Sequence, residues 1–197
     1  MATDFLEVHS WFDEQFKEFL RGRYYTFRIA LNLLYQKESH LIVETGCTRI
    51  NYDYGGGNST YLFGRFISEC GGHLTTIDID PVSIEACRKN NAGFGNRITY
   101  VNEDSLIALS RLTKPIDLLY LDSMDVPEEG QPGDAGPGQK HNLKEFLMVE
   151  HLMLPGSMVL IDDNDMTNGG KSRLTKKYLK ERGWRLVFDG DQTLWML

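Results

Sequence analysis

The chain has 197 residues, 41% of them hydrophobic, and 21 lysines and arginines against 28 aspartates and glutamates, so its formal net charge is −7. These values are typical of one soluble globular domain, and we predict a single domain over residues 1–197. The acidic balance gives no long-range attraction to phosphate backbones or anionic lipids, so we expect neither nucleic acid nor membranes as partners. Three cysteines without a CxxC pair and an N-terminus without a signal-peptide pattern predict a cytoplasmic protein without disulfides.

Residues 1–40 are predicted to form a helical cap. Apolar residues, most of them aromatic, recur at intervals of three to four between Phe5 and Phe19, and a second amphipathic pattern follows and ends before Lys37. Packing in a core is the simpler interpretation of these aromatic residues, and lining of a substrate pocket is the alternative.

From Leu41 onward, short apolar runs of strand length alternate with helical segments. Strands are predicted at Leu41–Val43, Leu74–Ile77, Ile98–Val101, Leu118–Leu121 and Met158–Ile161, and helices at Ser59–Cys70, Val82–Asn91, Ser105–Arg111 and Leu143–Leu152. Strands that are apolar throughout are typical of burial on both faces, and their alternation with helices predicts right-handed crossovers. Residues 41–197 are therefore predicted to form an α/β core around a parallel sheet.

The C-terminal end departs from this alternation. After a predicted helix at Ser172–Arg182, the runs Arg185–Phe188 and Leu194–Met196 are joined by so few residues that they can only form an antiparallel hairpin. The sheet is therefore predicted to have seven strands, mostly parallel, with an antiparallel terminal hairpin. We interpret the basic stretch at 171–185 as the solvated face of a helix.

Polar residues that follow the strands are the candidates for a ligand site, because ligands bind beyond the carboxyl ends of an open parallel sheet. Glu44-Thr45-Gly46-Cys47 follows the first strand, and Gly57-Asn58-Ser59-Thr60 opens the next helix. A glycine-rich turn of this kind either cradles a dinucleotide or only makes a tight turn. Glu44 would repel a pyrophosphate, and it suits a cationic ligand.

The second and third strands each end in an acidic residue. A carboxylate at the position of Asp78 accepts hydrogen bonds from ribose hydroxyls, whereas Asp80, which precedes Pro81, is interpreted as a helix cap. Asp104 is able to accept from an adenine amino group, to cap the helix at Ser105, or to do both.

The chain resembles the class I S-adenosylmethionine-dependent methyltransferases in an ordered series of motifs over about residues 41–197. These are Glu44-x-Gly46, Gly57-Asn58-Ser59-Thr60, Asp78, Asp104-Ser105 and Asp122, with the terminal hairpin. The resemblance implies a Rossmann-like methyltransferase fold with S-adenosylmethionine as cofactor. It implies that Glu44, Gly46 and Ser59 surround the methionine part, that Asp78 holds the ribose, and that Asp104 and Ser105 flank the adenine. The predicted cofactor-binding residues are Glu44, Gly46, Cys47, Gly57, Ser59, Thr60, Asp78, Asp104, Ser105 and Asp122.

The fourth and fifth strands end in further carboxylates. Asp122, Asp163 and Asn164 supply hard oxygen ligands from neighbouring strand ends, which suits Mg²⁺ or a similar divalent cation. The sequences around these residues are similar to those of the catechol and caffeoyl-coenzyme A type O-methyltransferases, whose metal ligands fall at these positions. The alternative is that residues 162–165 form a solvated turn.

The sequence differs from the catechol type at the position of the general base, because Asp125 stands where the catechol type carries a lysine. His141 is the preferred candidate for the base, since its ordinary pKa suits proton transfer near neutral pH, and an ordinary helical residue is the alternative. The candidate catalytic residues are thus His141, Asp122 and Asp125. Residues 126–138 contain three of the six prolines and are predicted to form a mobile loop over the site.

The sequence therefore predicts metal-assisted O-methylation of a small-molecule hydroxyl. The alternatives are a metal-independent methyltransferase, a nicotinamide-dependent dehydrogenase, which Glu44 and the terminal hairpin disfavour, and a non-catalytic family member. Gly169-Gly170-Lys171-Ser172 is similar to part of a phosphate loop, but Asp165 stands where such a loop needs its first glycine. The sequence identifies neither the acceptor nor the oligomeric state, and a homo-oligomer is among the states it allows.

Overall fold

The computed structural model describes residues 9–37, 39–48, 58–127 and 133–197. Within these ranges the chain forms a seven-stranded sheet of order β3-β2-β1-β4-β5-β7-β6. The strands are β1 (Leu41–Thr45), β2 (His73–Asp78), β3 (Ile98–Asn102), β4 (Ile116–Leu121), β5 (Met153–Ile161), β6 (Arg185–Asp189) and β7 (Thr193–Met196). Strands β1 to β5 pair in parallel, and β7 runs antiparallel to both β5 and β6. The predicted Rossmann-like sheet with its terminal hairpin is confirmed.

Helices cover both faces of this sheet. The α-helices of the described residues are α1 (Trp11–Phe16), α2 (Arg23–Tyr35), α3 (Ser59–Cys70), α4 (Pro81–Asn90), α5 (Ser105–Ser110), α6 (Gly136–Val149) and α7 (Arg173–Glu181). Short 3-10 turns lie at Ala92–Arg97, Glu150–Leu152 and Thr167–Gly169. The predicted bounds of α3 are confirmed, those of α5 differ from the structure by one residue at its end, and those of α4 and α7 differ by one residue at each end.

The side chains of each strand alternate between two apolar cores. Ile42, Leu118 and Leu160 face the core formed with α1, α2 and α3, whereas Val43 and Leu119 face the core formed with α5, α6 and α7. Burial on both faces explains why these strands are apolar throughout.

The N-terminal helices are part of the first core, which confirms packing as the interpretation of their aromatic residues. Phe12, Phe16 and Phe27 are buried, and the ring of Phe27 contacts those of Phe63 on α3 and Tyr120 on β4. The first helix is shorter than predicted among the described residues. It ends at Phe16, and the chain turns over residues 17–22, so that Phe19 is 51% exposed. Residues 1–8 lie outside the described part.

Helix α6 begins seven residues earlier than predicted and takes up the end of the predicted loop. Pro137 lies in its first turn, where the missing N–H has no intrahelical partner to lose. Gly138 allows the helix to pack on the preceding segment, because a Cβ there would lie 2.7 Å from Val126 Cγ1. Val126 and Ala135 are buried, so both described ends of the predicted loop are packed, and residues 128–132 lie outside the described part.

Candidate active site

A cleft of about 240 Å³ opens at the carboxyl ends of the strands. It is lined by Gly46, Asp78, Ile79, Asp104, Ser105, Ser123, Met124 and His141. Five of these residues are sequence-predicted site residues that come from four separate segments of the chain. Ser123, Ile79 and Met124 were missed. Ile79 and Met124 each follow a strand-end aspartate by one or two positions. They are 69% and 41% exposed, an unusual exposure for large apolar side chains in a cleft.

Gly46 allows the ends of β1 and β4 to come close together. Its φ is +80°, and a Cβ at this position would lie 2.2 Å from the carbonyl oxygen of Asp122. Its backbone N–H donates to the carbonyl oxygen of Ile77 at 2.8 Å. Any other residue here would be strained and would push Asp122 away from the cleft.

Asp78 is held in the cleft by backbone donors. Its Oδ1 accepts from the N–H of Asp80 at 2.8 Å, and its Oδ2 accepts from the N–H of Cys47 at 3.1 Å. Each carboxylate oxygen keeps a further lone pair for a ligand hydroxyl. Asp80 caps α4 by accepting from the N–H groups of Val82 and Ser83, which confirms the interpretation of Asp80 as a cap.

Glu44 lies behind the wall of the cleft. It is fully buried and accepts hydrogen bonds from the hydroxyls of Ser59, Thr60 and Thr76 at 2.5–2.7 Å. Burial raises the pKa of Glu44 to about 7, while the three hydroxyls oppose that rise. Glu44 therefore fixes the start of α3 against β1 and β2 and is not among the described residues that line the cleft.

Cys47, a further predicted cofactor residue, is not among the described residues that line the cleft. The Cys47 side chain packs in a small cluster with Ile84 and Cys87, and only its backbone N–H reaches Asp78. Gly57 lies outside the described residues.

Asp104, Ser105 and His141 form the β3 side of the cleft. Oδ1 of Asp104 caps α5 by accepting from the N–H groups of Leu106 and Ile107, which confirms the capping half of its predicted roles. Nε2 of His141 lies 3.0 Å from Oγ of Ser105. The structure therefore places His141 beside the residues expected at the adenine, and its assignment as the general base stays a prediction.

Glu145 controls the charge of His141. Its buried carboxylate lies one helical turn along α6, with Oε1 3.2 Å from His141 Nε2. This contact raises the pKa of His141, and burial of the imidazole opposes it. The contact with Glu145 therefore lets His141 stay protonated to a higher pH than an ordinary imidazole.

Two of the three predicted metal ligands, Asp122 and Asp163, hold an ammonium group. Nζ of Lys171 lies 2.6 Å from Oδ1 of Asp122 and 2.9 Å from Oδ2 of Asp163, and the lysine side chain is 1% exposed. Asp125, which is mostly exposed, lies farther away, with Oδ1 3.8 Å from the same nitrogen. No group of three or more His, Cys, Asp or Glu residues in the described part of the chain is arranged to hold a metal ion. These residues do not fit Mg²⁺, because a lysine lies where the ion would have to bind.

Asn164, the third predicted ligand, makes other contacts. Its Nδ2 donates to Oδ1 of Asp189 and to the carbonyl oxygen of Gly190, and its Oδ1 accepts from Oγ of Ser172 and Nζ of Lys176. The polar atoms of its side chain thus join the β6–β7 turn to the start of α7. This geometry gives no support to Asn164 as a metal ligand.

Arg23 of α2 joins the N-terminal helices to this acidic cluster. Its Nε donates to Oδ1 of Asp162 at 2.7 Å, and it also contacts Asp163 at 3.3 Å. Burial opposes ionisation of Asp162, but the guanidinium outweighs burial and lowers the pKa of that carboxyl. Burial, together with Asp162 and Asp163, raises the pKa of Asp122 to about 8, and Lys171 opposes this rise.

Lys171 is the main residue that the sequence interpretation missed, since it was assigned to a solvated helix face. It precedes α7, at the end of a turn in which Asn168, Gly169 and Gly170 all have positive φ. The run of glycines before it was a usable signal, because such a turn is able to direct the next side chain inward.

The comparisons with known proteins agree with this geometry. Residues 53–164, more than half of the chain, match the family model described as a methyltransferase domain. The chain belongs to this methyltransferase family. No curated protein sequence matches this methyltransferase significantly.

Solved structures share the fold of this methyltransferase at low sequence identity. The SAH-bound methyltransferase PaMTH1 from Podospora anserina is 15% identical, with a TM-score of 0.61 over 100% of this chain and 88% of that chain. A methyltransferase from Geobacter sulfurreducens is 15% identical, with a TM-score of 0.57 over 100% of this chain and 99% of its own. An rRNA methylase from Streptococcus thermophilus is 11% identical, with a TM-score of 0.56 over 86% and 93% of the two chains. The narrower resemblance to catechol and caffeoyl-coenzyme A type enzymes stays a prediction.

Within the described ranges, no helix is both long enough and apolar enough to cross a bilayer.

Proposed function

We propose that this methyltransferase binds S-adenosylmethionine in the cleft at the ends of β1 to β4 and transfers its methyl group to a hydroxyl oxygen of a small molecule. The observation that carries the proposal is the carboxylate of Asp78. It is held in the cleft by two backbone N–H groups and forms no ion pair with a cation of the described residues, which is the arrangement that suits a ribose diol.

The two apolar residues of the cleft support a planar ligand next to that ribose site. Ile79 and Met124 offer apolar surface to the faces of an adenine ring, and burying such surface favours binding by roughly 25 cal/mol per Å². The Ser105–His141 pair and Asp104 offer polar atoms to the ring edge. An adenosyl group therefore matches the order of surfaces along the cleft.

The methyl group would then lie between Gly46 and Asp122. The absence of a side chain at Gly46 leaves space for the sulfonium. Of the two carboxylates that lie within 3 Å of Lys171 Nζ, that of Asp122 is the more exposed, at 21%. In the proposed step the acceptor oxygen attacks the methyl carbon, the methyl–sulfur bond breaks, and Asp122 takes the hydroxyl proton. The products are the methyl ether, S-adenosylhomocysteine and protonated Asp122, which returns its proton to water.

A small molecule is favoured over RNA as the acceptor. A net charge of −7 repels a polyanion, and the carboxylates of Asp122, Asp163 and Asp125 are gathered beside the proposed transfer point. An rRNA substrate, as named for one structural neighbour, would need a basic surface to offset this repulsion.

Transfer from S-adenosylmethionine with a ¹³C-labelled methyl group tests the proposal. We expect a panel of small hydroxyl compounds to yield a carbon signal in the O-methyl region of the NMR spectrum, and we expect none from RNA. Labelling of nitrogen or carbon atoms, or of RNA in place of small molecules, would contradict the proposal. Asp122→Asn should retain binding of S-adenosylhomocysteine and lose most of the transfer.

A further inference from the structure

Lys171 lies between carboxylates at the ends of two neighbouring strands, which is the place where the sequence predicts a divalent ion. We propose that the ammonium group of Lys171 takes the place of that ion, so that this methyltransferase holds Asp122 and Asp163 with a charge from its own chain and needs no divalent metal. This inference rests on the proposed function for its consequence in catalysis, but the cation replacement itself is testable without any methyl transfer.

The contacts of the ammonium are those of a tight double ion pair. Its distances of 2.6 and 2.9 Å to Asp122 and Asp163 are typical of charge-assisted hydrogen bonds. A magnesium ion between the same oxygens would need contacts of about 2.1 Å and an octahedral shell. Lys171 also blocks that position sterically, since its side chain is buried at the centre of the pair.

The turn before Lys171 is built to deliver this side chain inward. Gly170 has a φ of +59°, and a Cβ there would overlap the carbonyl oxygen of Asp163 at 1.8 Å. The N–H of Lys171 donates to that same carbonyl at 3.1 Å. Gln139 of α6 is buried and donates to the carbonyls of Asn168 and Gly170, so a second element holds the turn.

Fixed cations already compensate most of the negative charge in this cluster, apart from the mostly exposed Asp125 at its edge. Two cations, Arg23 and Lys171, face three carboxylates, those of Asp122, Asp162 and Asp163. A dication added to these five groups would meet two fixed positive charges at short range, which disfavours its binding. With either cation removed, the carboxylates would repel one another, and a metal ion would become favourable.

Lys171 is a positioning residue in this account. It acts through Asp122, whose carboxylate it holds at the edge of the cleft, and its small exposure keeps it from the acceptor itself. Its effect on transfer should therefore appear in kcat more than in KM for the cofactor, because the surfaces proposed for the adenosyl group lie on β1 to β3 and at Met124.

Binding of Mn²⁺, followed by electron paramagnetic resonance, tests the replacement directly. We expect the wild-type protein to show no specific binding. We expect Lys171→Met, which keeps the length of the side chain, to bind one Mn²⁺ at least about tenfold more tightly than wild type, because Asp122 and Asp163 are then left uncompensated. Asp163→Asn in the Lys171→Met background should remove the gained site.

Lys176→Met is the matched control. The hydrogen bonds of the Lys176 ammonium go to Asn164 and Asp189 in the same region, and not to Asp122 or Asp163. This variant should bind Mn²⁺ no better than wild type. Lys171→Arg, which keeps a cation, should also gain nothing, and it covers the case in which the methionine variant fails to fold.

Two results would overturn the proposal. One is specific Mn²⁺ binding by the wild-type protein that Asp122→Asn abolishes. The other is a folded Lys171→Met variant with no gain of Mn²⁺ affinity. Neither result depends on S-adenosylmethionine. If only the proposed function is wrong, the protein will fail to bind the cofactor but will still show the expected Mn²⁺ binding in each variant.

Discussion

The carboxylate of Asp78 is set in place before any ligand arrives, because the N–H groups of Asp80 and Cys47 each hold one of its oxygens. A group ordered in this way loses little further entropy on binding. Asp78→Ala should therefore weaken binding of S-adenosylhomocysteine by about 1.5–3 kcal/mol, the usual contribution of hydrogen bonds to a charged group. Isothermal titration calorimetry gives this difference.

Asp80→Ala is the matched control for that measurement. It removes the cap of α4 and should lower thermal stability, but it should leave the affinity for S-adenosylhomocysteine unchanged. Equal affinities of the wild type and Asp78→Ala, with both proteins folded, would remove Asp78 from the proposed ribose site.

The charge of His141 depends on the buried side chain of Glu145, which lies beside it. Contact with Glu145 raises the pKa of His141, with a smaller contribution from Asp104, while burial and Lys144 oppose it. A raised pKa means that the protonated imidazole stabilises the fold below its unfolded value of about 6.5, and that this stabilisation is lost as pH rises through the folded pKa. Glu145→Gln should lower the pKa of His141 in an NMR titration. An unchanged titration would show that Glu145 does not act on His141.

The residue scale also shows the limit of what the sequence predicts. Asp78 and Asp104 were identified because a strand end constrains the position of the next residue. Lys171 was not, since its inward direction depends on Asp122, which is 49 positions away along the chain, and on a turn whose shape is fixed by contact with Asp163. A lysine beside a glycine pair carries no hydrophobic period that would separate it from surface lysines.

At the scale of elements, helix α2 is held by its buried face. Phe27 contacts the rings of Phe63 and Tyr120 and is almost fully buried. Phe27→Ala should lower the free energy of unfolding by about 3–5 kcal/mol, through lost burial and the cavity that remains. Chemical denaturation followed by circular dichroism measures this, and Phe19→Ala, at a half-exposed position, should have a much smaller effect. Similar losses for both variants would contradict the assignment of Phe27 to the core.

The elements most accurately predicted were those with strong apolar patterns. The central parallel strands β1, β4 and β5 are buried on both faces, so their sequences show apolar runs, and α3 combines a polar start at Ser59 with an apolar stripe. Helix α6 was placed too late because Gly-Pro-Gly is typical of turns, while in this fold it begins a helix that packs on Val126. The deciding contact is tertiary and has no local pattern.

At the scale of the whole molecule, the strand order explains why the site forms. Strands β4 and β5 are neighbours in register, so Asp122 and Asp162 follow Leu121 and Ile161 at the same edge of the sheet. Arg23 then ties the N-terminal helices to that edge through Asp162. The helical cap and the α/β core therefore share one charged cluster.

Removing the ion pair between Arg23 and Asp162 should destabilise the whole domain. Arg23→Ala leaves the buried Asp162 without its partner, and loss of one member of a buried ion pair costs about 3–5 kcal/mol. Because Arg23 lowers the pKa of Asp162, its stabilisation is present above the ordinary carboxyl pKa and is lost as pH falls through the folded value. Thermal denaturation at pH 7 and at acidic pH measures both effects. Lys89→Ala, which breaks only an exposed pair with Glu85, should change little, and an equally small effect of Arg23→Ala would contradict this account.

The central claim is that the cleft at the ends of β1 to β4 is the cofactor site of this methyltransferase. A crystal structure with S-adenosylhomocysteine tests it most directly. The account predicts ribose hydroxyls within hydrogen-bond distance of Asp78, the adenine ring between Ile79 and Met124, and the sulfur atom beside Gly46. A complex in which S-adenosylhomocysteine lies elsewhere on the protein, with this cleft filled only by water, would contradict it.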